Sequence, residues 1–303
     1  MQQLRDNLAA AAEGWYEADA KLKNSQAKQV ELQAQVTDAE LEMARVRVGV
    51  GKYAAEAYRT GRLGVIGMML SATNTDDFIE RAMALDKMTQ RDEATLSQYL
   101  AAKRRLVEAK AQIEVEIQVQ TAEAAEMNKR KVAAERALAV VGGTVTRVAI
   151  DPATLPTANP VARNPDGTFP SQTCSEKDPT TGGCLTPRTL YMLNETHRLG
   201  FDHYVSCYRP GDQYEHPKGR ACDWAANPSG FVNRSASGSD KVYGDRLSSF
   251  FVKNAYALAV MYVVWYCQIW HPATGWRRYN SAGSNCGDSP AGDHTNHVHV
   301  SIL

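Results

Sequence analysis

Residues 4–36 read LRDNLAAAAEGWYEADAKLKNSQAKQVELQAQV, and this stretch decides the fold of the first half of the chain. Leu4, Leu8 and Ala11 begin an apolar stripe whose steps alternate between three and four residues, and the stripe continues to Ala57. Such spacing over many heptads is typical of a left-handed coiled coil. Charged and amide side chains fill the positions between, as a solvated helix face requires. The pattern therefore predicts a long coiled-coil helix.

The periodic apolar positions are lost between residues 60 and 75, where glycines interrupt the pattern. We expect the chain to reverse there, at a hairpin tip. Asn74 or Thr75 can cap a second helix, because either side chain can accept a hydrogen bond from the first helical turn. The apolar positions of that helix continue to a glycine stop signal at Gly142. Two long helices joined by a turn predict an antiparallel coiled-coil hairpin over residues 1–142.

The predicted tip is apolar. Its crowded residues are Val65, Ile66, Met68, Met69 and Leu70. They either pack against Phe78 and Ile79 to close the hairpin or form a docking surface for a partner. The segment GMMLSATNTDDFIER, residues 67–81, resembles the hinge in coiled-coil regions of bacterial cell-wall hydrolases and their activators that are controlled by the division transporter complex. The resemblance implies a membrane division transporter complex as the partner of the tip. A coiled coil also allows a homodimer.

Composition separates the two halves of the chain. The 12 Pro, 6 Cys and 7 His among the 303 residues all lie beyond residue 143. Residues 143–185 are rich in Pro and small polar residues and lack periodic apolar positions, which predicts a semi-extended linker. Residues 186–303 then form the second domain. The formal net charge is zero, so a phosphate-neutralising surface is not expected and nucleic acid is a poor candidate partner.

Cysteine usage points to an oxidising compartment. Six cysteines in one domain can be paired as disulfides, which persist outside the reducing cytosol. The first residues lack the cationic and apolar segments of a signal peptide. We therefore expect an exported protein whose export signal is absent from this sequence. The alternative is a cytosolic protein with free buried cysteines.

Two segments of the second domain carry metal-binding residue types. The first reads HPKGRACDW over residues 216–224, and the second reads HTNHVHVSI over residues 294–302. A catalytic zinc site uses three protein ligands, usually His nitrogen or carboxylate oxygen, and leaves a fourth position open. His297 and His299 lie two apart in a strand pattern, so they share one face. One of them can complete the ligand set while the other stands beside the site.

These segments resemble the zinc peptidases of the lysostaphin, D-Ala-D-Ala carboxypeptidase and hedgehog type, and among them the VanY-like D-alanyl-D-alanine carboxypeptidases. The family pattern is Ser-x-x-Arg, then His-x-x-Gly-x-Ala-x-Asp, then His-x-His. The chain meets it at Ser206–Arg209, at His216–Asp223 and at His297–His299. The resemblance covers about residues 185–303.

The resemblance implies a role for each matching residue. Zinc is implied on His216, Asp223 and His299. Arg209 is implied near the substrate's carbonyl or carboxylate, and Ser206 and His294 are implied at the substrate. Some family members place a Glu where this chain has Asn296, which leaves His297 as the better candidate base. Glu215 is a weaker candidate base, because neighbouring residues on an extended chain point in opposite directions. Trp224, directly after Asp223, is a candidate wall of the cleft.

The remaining pattern of the second domain predicts an α+β fold. Helices are expected from Thr186-Pro187 to Gly200 and from about 244 to 258, and strands at 203–208 and 262–270. Sequence alone leaves the disulfide connectivity open. A bridge between Cys207 and Cys222 would join the Ser206–Arg209 and His216–Asp223 segments. The further pairs are then Cys267 with Cys286 and Cys174 with Cys184.

The expected function is hydrolysis of peptide bonds in peptidoglycan stem peptides by an exported zinc enzyme, as carboxypeptidase or endopeptidase. Its coiled coil would position or restrain it. The alternative is a catalytically weak cell-wall-binding or scaffold protein whose coiled coil recruits or activates division partners.

Overall fold

A computed structural model describes residues 2–138, 150–211, 214–279 and 285–303. Within the first helix it does not describe the side chains at 2–5, 53, 56, 57, 60, 62, 63 and 65. The structure is mixed, with 58% helix and 11% strand. It combines long helices with a small strand-rich part that contains disulfides, so the predicted fold class is confirmed.

Two long helices form the first part of the chain: α1 (Gln2–Leu70) and α2 (Thr75–Leu138). Gly61 interrupts α1 with a left-handed conformation, φ 61° and ψ 174°, that glycine adopts at low cost. The helix resumes after it and ends at Leu70, so the reversal occupies a shorter segment than the predicted 60–75. The predicted stop at Gly142 lies outside the described residues.

The start of α2 shows which residue caps it. The Asp77 amide donates to Asn74 Oδ1 at 2.8 Å, so Asn74 is the cap. Asp77 also accepts from the Thr73 amide at 2.8 Å and from Arg81 Nε at 2.7 Å. Arg81 reaches across the turn to the Met68 carbonyl at 2.7 Å. These bonds fix the turn between the two helices.

Residues Ser25–Thr121 form one compact unit, the hairpin unit. Its core is a small cluster of Val36, Ala39, Leu106 and Ala109. Among the described residues, three ion pairs join the arms: Lys28 to Glu116 at 3.3 Å, Arg105 to Glu42 at 3.1 Å and Lys110 to Glu40 at 2.8 Å. Position numbers fall along one arm as they rise along the other, so the arms are antiparallel, as the coiled-coil pattern predicts.

Residues Met1–Asn24 and Ala122–Leu303 form the other unit, the sheet unit. Its strands are β1 (Glu176–Lys177), β2 (Cys184–Leu185), β3 (Val205–Ser206), β4 (Ala221–Ala225), β5 (Val260–Trp265), β6 (Gln268–His271), β7 (Gly275–Arg278) and β8 (His297–Ile302). The first two strands make a small antiparallel ribbon. The other six form one sheet in the order β3-β4-β8-β5-β6-β7, and every neighbouring pair is antiparallel.

Three α-helices and a short 3₁₀ turn complete this unit: Pro152–Thr154 (3₁₀), α3 (Pro187–Arg198), α4 (Gly238–Lys253) and α5 (Ala255–Leu258). Thr186 caps α3 and Pro187 follows at the first helical position, as predicted. Trp224 of β4 packs against Phe251 of α4 and His197 of α3. The helices therefore cover the sheet face that carries Trp224.

The opposite face of the sheet contacts the ends of the long helices. We call residues 6–24 and 122–138 the hairpin base. Tyr16 Oη donates to the Val260 carbonyl at 2.8 Å, and His271 Nε2 donates to the Leu8 carbonyl at 3.0 Å. Leu8, Ala134 and other residues of the base belong to the same apolar core as the sheet. The hairpin base is thus part of the sheet unit.

The segment predicted as a linker has little regular structure, yet it packs on the sheet unit. Leu155 is buried, and its carbonyl accepts a hydrogen bond from Lys253 Nζ at 2.6 Å. The Ala158 amide donates to Asn254 Oδ1 at 2.8 Å. Arg163 lies over the ring of Phe169 at 3.9 Å. The boundaries drawn at 142 and 185 stay a prediction.

Three predicted elements differ from the structure. The expected strand 203–208 is limited to β3. The run expected as one strand, 262–270, is the β5–β6 hairpin, which turns at Tyr266 and Cys267 with φ of 50° and 60°. The expected helix 244–258 is divided between α4 and α5, which meet at Asn254.

The disulfides join the pairs that the sequence suggested: Cys174–Cys184, Cys207–Cys222 and Cys267–Cys286. Three disulfides indicate an oxidising environment outside the cytoplasm. Across the described residues, none of the helices combines the length and apolar character needed to cross a bilayer.

Candidate metal site

His216, Asp223 and His299 converge on one point. Asp223 of β4 lies directly opposite His299 of β8, so their side chains share one sheet face. Asp223 Oδ1 is 2.8 Å from His299 Nδ1, and Asp223 Oδ2 is 3.2 Å from His216 Nε2. All three residues are buried, and one ligand atom of each lies within 4.8 Å of the others. This group can hold a metal ion.

Backbone geometry aims His216 at the site. The segment from Glu215 to Arg220 is a tight turn in which Gly219 adopts φ 67°. A Cβ at this glycine would lie 2.3 Å from Cys174 Sγ, so only glycine fits against the β1–β2 ribbon. His216 Nδ1 donates to the Cys207 carbonyl. Since a carbonyl only accepts, Nε2 carries the lone pair that faces Asp223 and His299.

His299 is held in a matching way. Its Nε2 lies 2.8 Å from Ser301 Oγ, which shares the same face of β8. Its Nδ1 therefore points to Asp223 and to His216 Nε2, which is 3.3 Å away. Hydrogen bonds to the outer nitrogen of a ligand histidine fix the ring orientation in metal sites. Both histidines show this feature.

Asp223 is the anion of the site. Burial by itself would raise its pKa, but the adjacent imidazoles of His297, His216 and His299 outweigh burial and hold the pKa of Asp223 well below its usual value. Arg209 Nη1 also contacts Asp223 Oδ2, at 2.5 Å. The Arg209 side chain is 52% exposed, so it can reach a ligand at the opening as well as Asp223.

His297 stands beside the three ligand residues. It lies two positions before His299 on β8 and therefore on the same face, with Nε2 3.6 Å from Asp223 Oδ1. Burial lowers its pKa, against the opposing effect of Asp223. His294 has its ring centroid 4.7 Å from that of His297, and burial followed by the nearby His297 and His299 lowers its pKa well below the usual value.

Of the other predicted site residues, one borders the metal site and two do not face it. Ser206 of β3 lies opposite Asp223, in the same row across the sheet, so it borders the site. Glu215 is buried, and its carboxylate contacts Lys218 at 3.2 Å and Arg220 at 3.7 Å. The expectation that Trp224 walls the cleft is wrong. Trp224 is fully buried on the opposite face, because consecutive strand residues point to opposite sides.

The tip residues are described within the hairpin unit. Ile66, Met68 and Leu70 are exposed, and Met69 is half-buried. The side chain of Val65 lies outside the described residues. Phe78 and Ile79, the expected packing partners, are 46% and 51% exposed. The described side chains of the tip are thus not buried against Phe78 and Ile79, and docking of a partner stays a prediction.

Sequence reasoning missed Asp178, which supports the site from the turn between β1 and β2. Its carboxylate accepts from the Tyr208 amide at 2.8 Å and from the Thr180 hydroxyl at 2.7 Å. Thr180 Oγ1 accepts from the Cys207 amide at 3.0 Å. Since the Cys207 carbonyl orients His216, this turn holds the segment that orients a ligand. The Asp-x-Thr-Thr pattern marks a turn, but no pattern reveals what that turn touches.

Tyr204 and Phe231 were also missed. Both rings are exposed, at 49% and 45%, and Phe231 lies 5.7 Å from the ring of His297. Tyr204 precedes β3, and Phe231 lies in the segment between β4 and α4. Their separation in sequence hid their proximity to the site.

Residues 181–289 match a protein family described as the VldE C-terminal domain. The matched range is about a third of the chain. It contains Arg209, His216 and Asp223 and ends before His297 and His299. A search of curated proteins gives no match to the chain. The resemblance to VanY-like carboxypeptidases stays a prediction.

Proposed function

We propose that this protein is an exported zinc peptidase that hydrolyses peptide bonds in peptidoglycan stem peptides. The observation that carries the proposal is the buried group of His216, Asp223 and His299, in which each histidine has its outer nitrogen engaged. Two imidazoles and one carboxylate match the ligand types of catalytic zinc sites. A zinc ion in this site would polarise a carbonyl oxygen and make water nucleophilic near neutral pH.

His297 suits the role of general base. Its Nδ1 lies 2.7 Å from Asn296 Oδ1, and the Asn296 amide nitrogen donates to the Val232 carbonyl at 2.7 Å, which fixes the orientation of the amide. Since Asn296 Oδ1 accepts, Nδ1 of His297 donates and Nε2 carries the lone pair. That lone pair faces the site, where it can take a proton from the attacking water.

Arg209 suits a role in binding the substrate. Its guanidinium lies at the exposed side of Asp223 and carries a fixed positive charge, which attracts a carboxylate or a polarised carbonyl. The side chains of Lys218 and Arg220 form ion pairs with Glu215, not with Asp223. In the part of the chain that the structure describes, the guanidinium that contacts Asp223 is that of Arg209.

The substrate class and the setting rest on resemblance. The motif pattern at Ser206–Arg209, His216–Asp223 and His297–His299 is similar to that of peptidases acting on D-alanyl peptides. The three disulfides are consistent with export. We further propose that the hairpin positions or restrains the enzyme, and that a membrane division transporter complex binds the tip at Ile66, Met68 and Leu70. A homodimer through the coiled coil is an additional proposal, to be tested by light scattering of the full chain.

Metal analysis tests the site directly. We expect about one zinc per chain, and its loss when His216, Asp223 or His299 is changed to Ala, because two protein ligands hold zinc much more weakly than three. His203→Ala is the matched control, since His203 stacks on Tyr243 outside the site. Full zinc occupancy in His299→Ala would contradict the ligand assignment.

Product analysis separates the proposed activity from the alternative. Digestion of purified peptidoglycan with the zinc-loaded protein should release D-alanine or shorter stem peptides, identified by mass spectrometry. Binding to peptidoglycan without any new product would instead support a cell-wall-binding or scaffold protein that recruits or activates division partners.

A further inference from the structure

The exposed ring of Phe231 lies beside His297, and the exposed ring of Tyr204 packs against Phe231; we call Tyr204 and Phe231 the aromatic pair. Their ring centroids are 5.4 Å apart and meet edge to face at 87°. The Phe231 ring also meets the His297 ring at 5.7 Å and 78°. Nearly half of each side chain is exposed, whereas Phe250, Phe251 and Trp224 of the same unit are fully buried. The aromatic pair therefore presents apolar surface at the site itself.

The sheet register places the aromatic pair relative to the metal ligands. The Ala225 amide donates to the Tyr204 carbonyl at 2.8 Å, and Ala225 lies opposite His297. Tyr204, Ala225 and His297 thus form a row next to the row of Ser206, Asp223 and His299. Tyr204 precedes Ser206 in the chain and Arg209 follows it, so Arg209 and Tyr204 lie on opposite sides of the row that contains Asp223. The metal ligands lie between a cation and an apolar surface.

The segment that carries Phe231 is fixed at both ends. Asn227 Nδ2 donates to Asp240 Oδ2 at 2.9 Å. On the other side, Asn296 Nδ2 donates to the Val232 carbonyl at 2.7 Å. A segment anchored in this way loses little backbone freedom when a ligand covers it, which favours binding at Phe231.

We propose that the aromatic pair is the specificity subsite for an uncharged aliphatic residue of the peptide, on the N-terminal side of the bond to be cleaved. This inference rests on the proposed function. In this arrangement Arg209 would take the carboxylate that ends the peptide, on the C-terminal side of the bond, so the chain before the bond would extend toward His297 and the aromatic pair. Packing an aliphatic side chain on an aromatic face is favourable, whereas removing a charged side chain from water onto that face costs free energy. The subsite should therefore prefer uncharged aliphatic residues to charged ones.

The test uses the zinc-loaded full chain and two N-acetylated tripeptides. Both end in D-alanine, and their middle residue is D-alanine in one and D-aspartate in the other. Phe231→Ser should raise the KM for the D-alanine peptide about tenfold or more, as expected for removal of an apolar contact, and leave kcat and zinc content unchanged. Phe231→Leu should restore most of the affinity. Phe78→Ser is the matched control, because Phe78 is equally exposed in the hairpin unit.

Other outcomes overturn the proposal. An unchanged KM in both Phe231→Ser and Tyr204→Ser removes the subsite. A lower kcat with a shifted pH profile and an unchanged KM means that Phe231 only orients His297. Equal use of the D-aspartate and D-alanine peptides by the wild type contradicts the stated preference.

Peptide binding, measured by broadening of the peptide methyl signals in NMR, keeps this test independent of turnover. If no peptide is cleaved, the proposed activity fails. The subsite is still supported if the methyl signals broaden with wild type and Phe78→Ser but not with Phe231→Ser. Absence of broadening with wild type, or broadening of a peptide-free disaccharide in place of the peptide, overturns it.

Discussion

At the scale of single residues, the position of one proton on His297 determines what this side chain can do. Asn296 fixes Nδ1 as a donor, so Nε2 faces Asp223 as an acceptor. Burial lowers the pKa of His297, which keeps that acceptor available near pH 7. The side chain is therefore prepared to receive a proton.

We predict that His297→Ala keeps the metal and loses most turnover. General-base assistance contributes about a hundredfold or more to rate, so kcat should fall at least that far while zinc content stays near one per chain. Peptide hydrolysis and metal analysis on the same preparation provide both measurements. Unchanged turnover would move the base role to His294, Glu215 or solvent.

Asp178 gives a second prediction at this scale. Asp178→Ala removes the acceptor of the Tyr208 amide and releases the Thr180 hydroxyl, so the Cys207 carbonyl loses its fixed position against His216. Zinc affinity should fall about tenfold or more, as it does when an outer partner of a ligand is lost. Competition with a chelator measures this without any assay of activity. Asp166→Ala is the control, since Asp166 caps a comparable turn with Thr168.

The candidate metal ligands could be predicted from the sequence, whereas the aromatic residues around them could not. His216, Asp223 and His299 lie in short segments with recognisable spacing, so their chemistry is visible locally. Trp224 was misplaced because proximity in sequence to Asp223 outweighed strand alternation in the interpretation. Tyr204 and Phe231 carry no local signal, since the contacts of Tyr204 with Phe231 and of Phe231 with His297 arise only when the sheet forms.

At the scale of elements, the starts of α2 and α3 could be predicted from capping residues and the disulfide pairs could be suggested, whereas the turn between β5 and β6 was not predicted. Tyr266 and Cys267 both adopt positive φ, which side-chain-bearing residues seldom do. The β-branched and aromatic residues on either side of them predict one continuous strand over residues 262–270. The turn is held by hydrogen bonds from the Tyr266 and Cys267 amides to the carbonyls of His294 and Asp293, and such long-range partners leave no mark on the local sequence.

The hairpin base was missed for a different reason. The stripe through Leu8, Ala11 and Trp15 has helical spacing whether its partner is another helix or a sheet. In the structure Leu8 and Ala11 join the core of the sheet unit. Periodicity identifies an apolar face, but it does not identify what that face packs against.

His271 makes the contact between this base and the sheet sensitive to acid. Burial lowers the pKa of His271 to about 4, against the opposing effect of the Leu8 carbonyl. The unfolded chain, with an ordinary histidine pKa near about 6.5, binds more protons between these values. The stabilisation is therefore complete above about pH 6.5 and is lost as the pH falls toward 4.

We predict that the free energy of unfolding of the sheet unit falls by about 2 kcal/mol through His271 alone between pH 7 and pH 5. His271→Gln keeps a donor toward Leu8 but does not titrate, so it should lose less stability over this interval. Urea unfolding of both proteins at the two pH values gives the comparison. Equal pH dependence in the two would contradict a role for His271.

At the scale of the whole molecule, the two units divide the long helices between them. A fragment beginning near Thr186 would lack Leu8, Tyr16 and Leu138 from its core, and also the buried residues between 155 and 161. We expect that fragment to expose apolar surface and to unfold readily. It is therefore unsuited to testing whether the hairpin restrains the enzyme.

Excision of the hairpin unit offers a cleaner test. Removing Ser25–Thr121 and joining the ends with a short Gly-Ser linker keeps the whole sheet unit, and the Gln29–Gln120 hydrogen bond at 2.8 Å shows that the arms are adjacent near the junction. If the hairpin restrains the peptidase, this variant should release more peptidoglycan fragments than the full chain. Equal release at equal zinc content would make the hairpin a spacer.

The contacts of the hairpin base also set the order in which a newly made chain can fold. Tyr16 meets Val260 across 244 residues of sequence, and Leu8 meets His271 across 263. Synthesis delivers α1 first, and its helical hydrogen bonds form locally within microseconds. Its partners on β5 and β6 emerge only near the end, so a very long loop must close before the base is buried. Until then Leu8 and Tyr16 lack their sheet, and the chain is most exposed to aggregation during this interval.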